Sequence, residues 1–405
     1  MQCDYFDAGV CRSCSRMGEP YPRQLESKDA WVRGVLAPAG VHSWDPPHPS
    51  RESAFRNKAK LVVGGTSAAP TLGILDPAGR GVDLSRCGLY LPGLTTAIPE
   101  LARFVTSAGL TPYDVPRRSG ELKHLLLTES PDGELLVRFV LRSTAELPAI
   151  RASLPQLTAA LPRLAVVSVN LQPEHKAIIE GAEEILLTER ETVPFRLGDV
   201  TLHLGPRAFF QTNTAIGAAL YATAREWLAP TRGEGAGGEG DVPTQAPPSG
   251  GDGRRPQTVV DLYCGVGGFA LHLAAQGRDV LGIEISPAAV AAARESAREL
   301  REAAEARGEG LGRIDFMVGD ASSATGAAGD PDVIVVNPPR RGIGAELADA
   351  LEHSLTPRVL YSSCNADSLA RDLARMPSLV PVRAQLFDMF PQTTHHEVMV
   401  LLERR

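Results

Sequence analysis

Three positions near the C-terminal end carry side chains that could act together on a heteroaromatic ring. Cys364 follows the apolar run of "VLYSSCNADSL", where a strand hands the chain to a loop. Asn337 opens "NPPRRG", and Glu397 closes "HHE" at the head of an apolar run. A thiolate at such a strand end can add to C6 of a uracil and turn C5 into an enolate-like carbon that attacks a methyl donor. A base must then take the C5 proton before the thiol can leave, and Glu397 is the candidate, with His395 and His396 before it. The competing readings are a packed core cysteine, a surface carboxylate with two solvated histidines, and a strand end capped by prolines.

A methyl donor needs a site. "DLYCGVGG" joins a strand to a helix, and Gly265, Gly267 and Gly268 would let the backbone pass close to a ligand. The loop does not match G-x-G-x-x-G, the dinucleotide fingerprint. Glu284 ends the following strand, 19 residues beyond Gly265, where a carboxylate can accept from ribose hydroxyls. Asp261 could approach a cationic methionine end, and Asp320, ending the third strand, an adenine amino group. Together these point to S-adenosylmethionine over NAD or a structural turn. Asn337 before two prolines gives a rigid amide able to read a base edge. In amino-methyltransferases that flip a base, N-P-P is followed by an aromatic residue; here Arg340 follows, so that alternative is incomplete.

Four further cysteines pose a different question. Cys3, Cys11 and Cys14 read C-x7-C-x2-C, with Cys87 far downstream. Three of six cysteines within fourteen residues suggest metal more than disulfides. Spacing alone leaves zinc and an iron–sulfur centre both open. Cys264, inside the glycine loop, reads as packing beside the ligand.

These residues need elements to hold them. From Thr258 onward strands and helices alternate, which predicts an α/β, doubly wound, mainly parallel sheet closed by two terminal strands. Residues 206–405 form this domain, interrupted at 233–257 by a Gly/Pro-rich insertion that cannot bury a core and is expected to be disordered. Residues 93–205 read as a small α+β domain: "PELARFVTSAG" as a helix ending at Gly109, then "HLLLTES", "LLVRFVLRS", "LAVVSVNLQ" and "EEILLTE" as strands. Residues 1–92 carry the cysteines and the strand-like "FRNKAKLVVGG", whose alternation places Arg56, Lys58 and Lys60 on one face. With Arg117, Arg118 and Lys123 these are candidates for an RNA-facing surface. A net charge of −7 argues mildly against a nucleic-acid partner but says little about a local patch. No apolar run approaches the roughly 18 residues of a membrane helix. The N-terminus has neither the basic start nor the apolar core of a signal peptide, so a cytoplasmic protein with no membrane association is expected.

As a set, "DLYCGVGGFALHLA", "GIEIS", "VVNPPRRGIG", "YSSCNADSLARDL", "LFDMFPQTTHHEV" and "FFQTN" closely resemble bacterial RNA uracil-C5 methyltransferases. The resemblance runs nearly the whole length, and within the family it is to enzymes that act on uracil 747 of 23S rRNA. It implies a Rossmann-like methyltransferase domain behind an N-terminal iron–sulfur segment and a central, RNA-binding α+β domain. It implies 23S rRNA as partner, with no obligatory protein partner. It implies that Cys364 is the nucleophile, that Glu397 is the base, and that Gln211, Tyr263, Glu284 and Asn337 contact S-adenosylmethionine. Cys3, Cys11, Cys14 and Cys87 match the family's [4Fe–4S] ligands, and four thiolates would leave no iron open. Two departures from the family pattern are expected: no OB-like RNA-binding domain ahead of the cysteine segment, such as relatives acting on other uracils often carry, and a 233–257 insertion longer than is usual.

Overall fold

The structure, a computed structural model, describes residues 1–229, 255–321 and 329–405. The N-terminal segment holds α1 (Asp4–Asp7), α2 (Tyr21–Leu36) and β1 (Ser43–Trp44). The central unit runs β2 (Lys58–Thr66), β3 (Ala69–Leu75), β4 (Gly81–Asp83), α3 (Pro92–Ser107), β5 (Leu122–Glu129), β6 (Leu135–Leu141), α4 (Leu147–Ala160), β7 (Leu164–Leu171) and β8 (Glu183–Leu186). A hairpin, β9 (Val193–Leu197) and β10 (Val200–Leu204), and α5 (Thr214–Trp227) lead into the last unit. That unit runs β11 (Gln257–Leu262), α6 (Gly268–Leu273), β12 (Arg278–Glu284), α7 (Pro287–Ala306), β13 (Ile314–Val318), β14 (Val333–Val336), α8 (Gly344–His353), β15 (Arg358–Ser363), α9 (Ala366–Leu373), β16 (Leu379–Phe387) and β17 (Glu397–Arg404).

The last unit builds an eight-stranded sheet ordered β1-β16-β17-β15-β14-β11-β12-β13. β11 to β15 are parallel and β17 inserts antiparallel between β15 and β16. Val333–Val336 is buried at every position, as a parallel strand covered on both faces requires. The strand order reverses between β11 and β14, and ligands of such sheets bind outside the carboxyl ends of the strands at that switch. Glycine loop, Glu284, Asn337 and Cys364 all lie at this edge.

The central unit is a seven-stranded sheet ordered β4-β3-β2-β5-β6-β7-β8, with the one parallel pair, β6 and β7, spanned by α4. Leu94, Ile98, Leu101 and Val105 of α3 recur at helical spacing and bury against Leu61, Leu125 and Leu127 of the sheet. β2, β3 and β4 lie in this sheet although they precede residue 92, because β2, which carries β3 and β4 on its other side, pairs with β5, and β5 comes only after α3. The first part of the chain joins the last unit instead. Gln24, Lys28, Val32 and Leu36, four apart along α2, face the sheet of the last unit, and β1 extends its edge beside β16. Residues 233–254 of the proposed insertion lie outside the described residues; Arg255 pairs with Asp332, and Gln257 opens β11.

Candidate active site

Cys364 sits between β15 and α9 and lines a cleft of about 600 Å³, together with Arg340, Asn365, His395 and His396. The α9 N-terminus is tied by Asn365, whose side chain accepts from the Asp367 amide. Glu397 is the first residue of β17, and the β15–β17 register pairs Ser363 with Val398. One step further along that register puts Cys364 opposite Glu397. Glu397 is 2% exposed, and its Oε1 accepts from the Ser362 hydroxyl at 2.6 Å. Burial lifts its pKa to about 7, against the pull of Ser362. A carboxyl poised near neutrality suits a proton acceptor working at physiological pH. Burial first, then the charge of Glu397, raises the Cys364 thiol, and the Arg340 guanidinium opposes both.

The glycine loop is shaped by close packing. Gly267 has φ 88°, and a Cβ on Gly268 would come within 2.3 Å of the Tyr221 hydroxyl. Tyr263 itself takes a positive φ of 64°, which is uncommon without a glycine and marks a held backbone. Glu284 accepts from the Gly265 amide at 3.2 Å and the Ser286 amide at 2.9 Å, so it braces the loop and faces the same edge. Asp320 lies within electrostatic reach of the Tyr263 hydroxyl. Asp261 is buried; its Oδ2 accepts from the Ala270 amide at 2.9 Å, while its Oδ1 is buried with no partner among the described residues. Burial, with Glu284 nearby, lifts its pKa to about 8. An orphaned buried carboxylate oxygen suits a cationic ligand.

Gln211 is buried in the turn before α5, and its carbonyl ties to the Asn57 amide at 3.0 Å, linking this turn to the central sheet. α5 meets α6 through Tyr221 and Phe269, whose ring centroids are 5.0 Å apart. Asn337 is half-buried one residue past β14, and its side chain has no hydrogen bond among the described residues. Cys264 is buried against Gly282, within electrostatic reach of Asp261 and Glu284.

The four remaining thiols converge. Cys14 is raised to about 11 by burial and then by Cys87, Cys11 and Cys3; Cys87 is raised by burial and by Cys3 and Cys11. All are free thiols. Among the described residues no group of three or more His, Cys, Asp or Glu is placed to hold a metal ion. Arg56 lowers both Cys14 and Cys87, so it lies within electrostatic reach of the thiols. Of the other basic candidates, Lys123 is buried under Tyr113 and donates to the Glu174 carbonyl, and Arg117 pairs with Asp114.

The family model described as tRNA (Uracil-5-)-methyltransferase matches residues 330–405, and one described as Methyltransferase domain matches residues 259–352. The 23S rRNA (uracil(747)-C(5))-methyltransferase RlmC of Pectobacterium carotovorum subsp. carotovorum (strain PC1) is 44% identical over 406 residues, covering 100% of both chains. Its namesake from Yersinia pestis (strain Pestoides F) is 45% identical over 407 residues, again covering 100% of both. The chain belongs to the 23S rRNA (uracil-C5)-methyltransferase family. The crystal structure of Pyrococcus abyssi tRNA (uracil-54, C5)-methyltransferase in complex with S-adenosyl-L-homocysteine shares the fold: TM-score 0.71 at 22% identity, covering 96% of this chain and 85% of that one.

Within this methyltransferase fold, several residues at the site carried no recognisable sequence signal. Arg340 stood only as the residue that broke an N-P-P-aromatic pattern. Ser362 was one of two serines in a strand. Ile285 and Val318 are 68% and 47% exposed at the ends of β12 and β13, Ile285 directly after Glu284 and Val318 paired with it. Their exposure is a tertiary property that residue type does not announce.

Among the described residues no helix is long and apolar enough to cross a membrane.

Proposed function

We propose that this protein methylates C5 of a uracil in 23S rRNA, at position 747, using S-adenosylmethionine. The observation that carries the reading is the convergence of Cys364 and a buried, near-neutral Glu397 at the ends of paired strands, on the sheet edge that also holds the glycine loop. The Cys364 thiolate adds to C6 of the uracil, forming a C6–S bond and moving electron density to C5. S-adenosylmethionine would supply the methyl group that C5 takes up, its S–CH3 bond breaking so that S-adenosylhomocysteine leaves as a neutral thioether. Glu397 accepts the C5 proton, the C5–C6 double bond re-forms, and the C6–S bond breaks to return the thiolate. Tyr263, Glu284, Asn337 and Gln211 hold the methyl donor, with Asp261 facing its cationic end.

Cys3, Cys11, Cys14 and Cys87 hold a [4Fe–4S] cluster in a structural role. What supports the reading is the donor set itself: four cysteines near enough to act on one another's thiols would supply the four thiolates that such a cluster takes. The sheet of residues 58–186 and the N-terminal segment provide the RNA-binding surround.

The test is an RNA hairpin bearing 5-fluorouridine at the target, whose C5 carries no removable proton. A covalent complex mapping to Cys364 is expected. Methyl transfer to ordinary RNA with no adduct on the fluorinated one would refute the mechanism.

A further inference from the structure

The cleft above Cys364 contains a large aromatic side chain that the chemistry does not use. Trp31 lies on α2, one position off the buried line of Gln24, Lys28 and Val32, so it projects along the helix flank into the cleft. It is 48% exposed. Its ring meets His396 edge-on, with centroids 5.4 Å apart and planes at 61°. His396 is itself 5% exposed, with Nδ1 against the Thr394 carbonyl at 3.2 Å, so the indole leans on a fixed wall. The base of α2 is equally firm, since Lys28 makes a buried ion pair with Asp388. The other two tryptophans are covered by arginines: Arg33 over Trp44 at 4.6 Å and Arg383 over Trp227 at 4.9 Å. Among the described residues no cation lies over Trp31.

The cofactor does not account for this open ring. The cleft lining includes neither the glycine loop nor Glu284, so the space belongs to the substrate. Its size is that of sites holding whole small ligands, more than one pyrimidine ring fills. The reacting ring must reach Cys364 and the almost fully buried Glu397, whereas Trp31 is half open and sits nearer the rim. Arg340 supplies positive charge on the same cleft, where Arg16 is paired with Glu19. Unpaired RNA bases are recognised by stacking on aromatic rings with cations tracking the backbone.

We propose that Trp31 is the platform on which a base flanking the target uracil stacks once that uracil has been turned into the cleft. The inference rests on the cleft being a uracil-C5 methyltransferase site. It makes Trp31 a substrate-binding residue that holds the RNA strand in the turned-out conformation.

The experiment measures methyl transfer to an RNA hairpin containing the sequence around uracil 747, with wild type, Trp31→Ala and Trp31→Phe. Trp31→Ala should raise KM for RNA roughly tenfold or more, the loss falling on KM rather than kcat, and Trp31→Phe should recover most of it. Hairpins with a single abasic nucleotide at each position flanking the target then locate the base. One such position should impose the same penalty on wild type and no further penalty on Trp31→Ala, the non-additivity expected of contacting partners. An unchanged KM in Trp31→Ala would overturn the proposal. So would abasic penalties that add fully to the substitution at every position, which also settles the matter if Trp31→Ala alters the fold. Wild type that forms product on the intact hairpin while failing these tests leaves the proposed function standing. Wild type that forms neither product nor fluorouridine adduct removes the function and this inference with it.

Discussion

The Ser362 hydroxyl donates a 2.6 Å hydrogen bond to Glu397, joining β15 to β17 two residues before the nucleophile. Among the described residues it is the polar contact that tempers burial at Glu397: burial raises the carboxyl and Ser362 lowers it.

That balance sets a pH dependence. Glu397 must be ionised to take the C5 proton, so the rate of product release should rise with pH through about 7. Ser362→Ala removes a donor that favours the ionised form, so the midpoint should move upward, on the order of one pH unit. Glu397→Gln cannot accept the proton and should accumulate the covalent complex with ordinary RNA. Stopped-time gels of adduct against pH check all three; a midpoint that moves down in Ser362→Ala contradicts the assignment.

Asp261 makes a prediction about the protein without ligand. Its folded pKa of about 8 stands above the ordinary carboxyl value, so the folded state binds the proton more tightly than the unfolded chain. Stability from this group is complete below about pH 4 and is lost as pH rises through about 8. Asp261→Asn should flatten that decline in thermal melts. S-adenosylmethionine placed against the ionised form should expel the proton: calorimetry at pH 7 in buffers of different ionisation enthalpy should show release of up to one proton in wild type. The Asn variant should show none of it and bind more weakly.

The parallel sheet was legible in the sequence because each strand is a short apolar run followed by a helix with its own period, and Cys364, Glu284 and the glycine loop could be placed at its carboxyl edge. Pairing across distance was not. Nothing in "SSC" and "HHE" says that β17 inserts beside β15, yet that register is what brings Glu397 to Cys364. Gln211 had no local signal, because its place depends on Asn57 holding the turn from the central sheet. Arg56 alternates with Lys58 and Lys60 in the sequence, but β2 begins only at Lys58, and the chain before it turns to the cysteines. The N-terminal segment looked like a separate unit because its partners, Val359, Leu386 and Asp388, lie more than 300 residues away.

Lys28 and Asp388 should matter to stability more than their surroundings. The pair is 2.6 Å apart, both side chains are 1% exposed or less, and Lys28 also donates to the Phe390 carbonyl at 3.0 Å. Burial pulls the Lys28 pKa down, so the charge is held by its partner. Lys28→Met strands a buried carboxylate and should cost about 3–5 kcal/mol in urea unfolding. Lys28→Met with Asp388→Leu should recover a large part of that, since the lone charge is what is expensive.

The cysteine site yields the last prediction. Protein prepared without oxygen should be brown, with broad absorbance around 400 nm from thiolate-bound iron–sulfur centres; a zinc site would be colourless. Cys14→Ser should abolish the absorbance. The loss should also reach the active site, because Cys14 is two residues from Arg16, whose amide donates to the Gln392 carbonyl at 3.0 Å and whose side chain lines the cleft. Gln24 and Gln392 reinforce that junction through a 2.9 Å side-chain hydrogen bond. Releasing the cysteine loop should therefore weaken RNA binding while S-adenosylmethionine, which we propose is held by Glu284 and the glycine loop, should still bind. Gel-shift and calorimetric titrations on wild type and Cys14→Ser separate the two; equal loss of both affinities would mean that the cluster supports the whole fold and not the cleft alone.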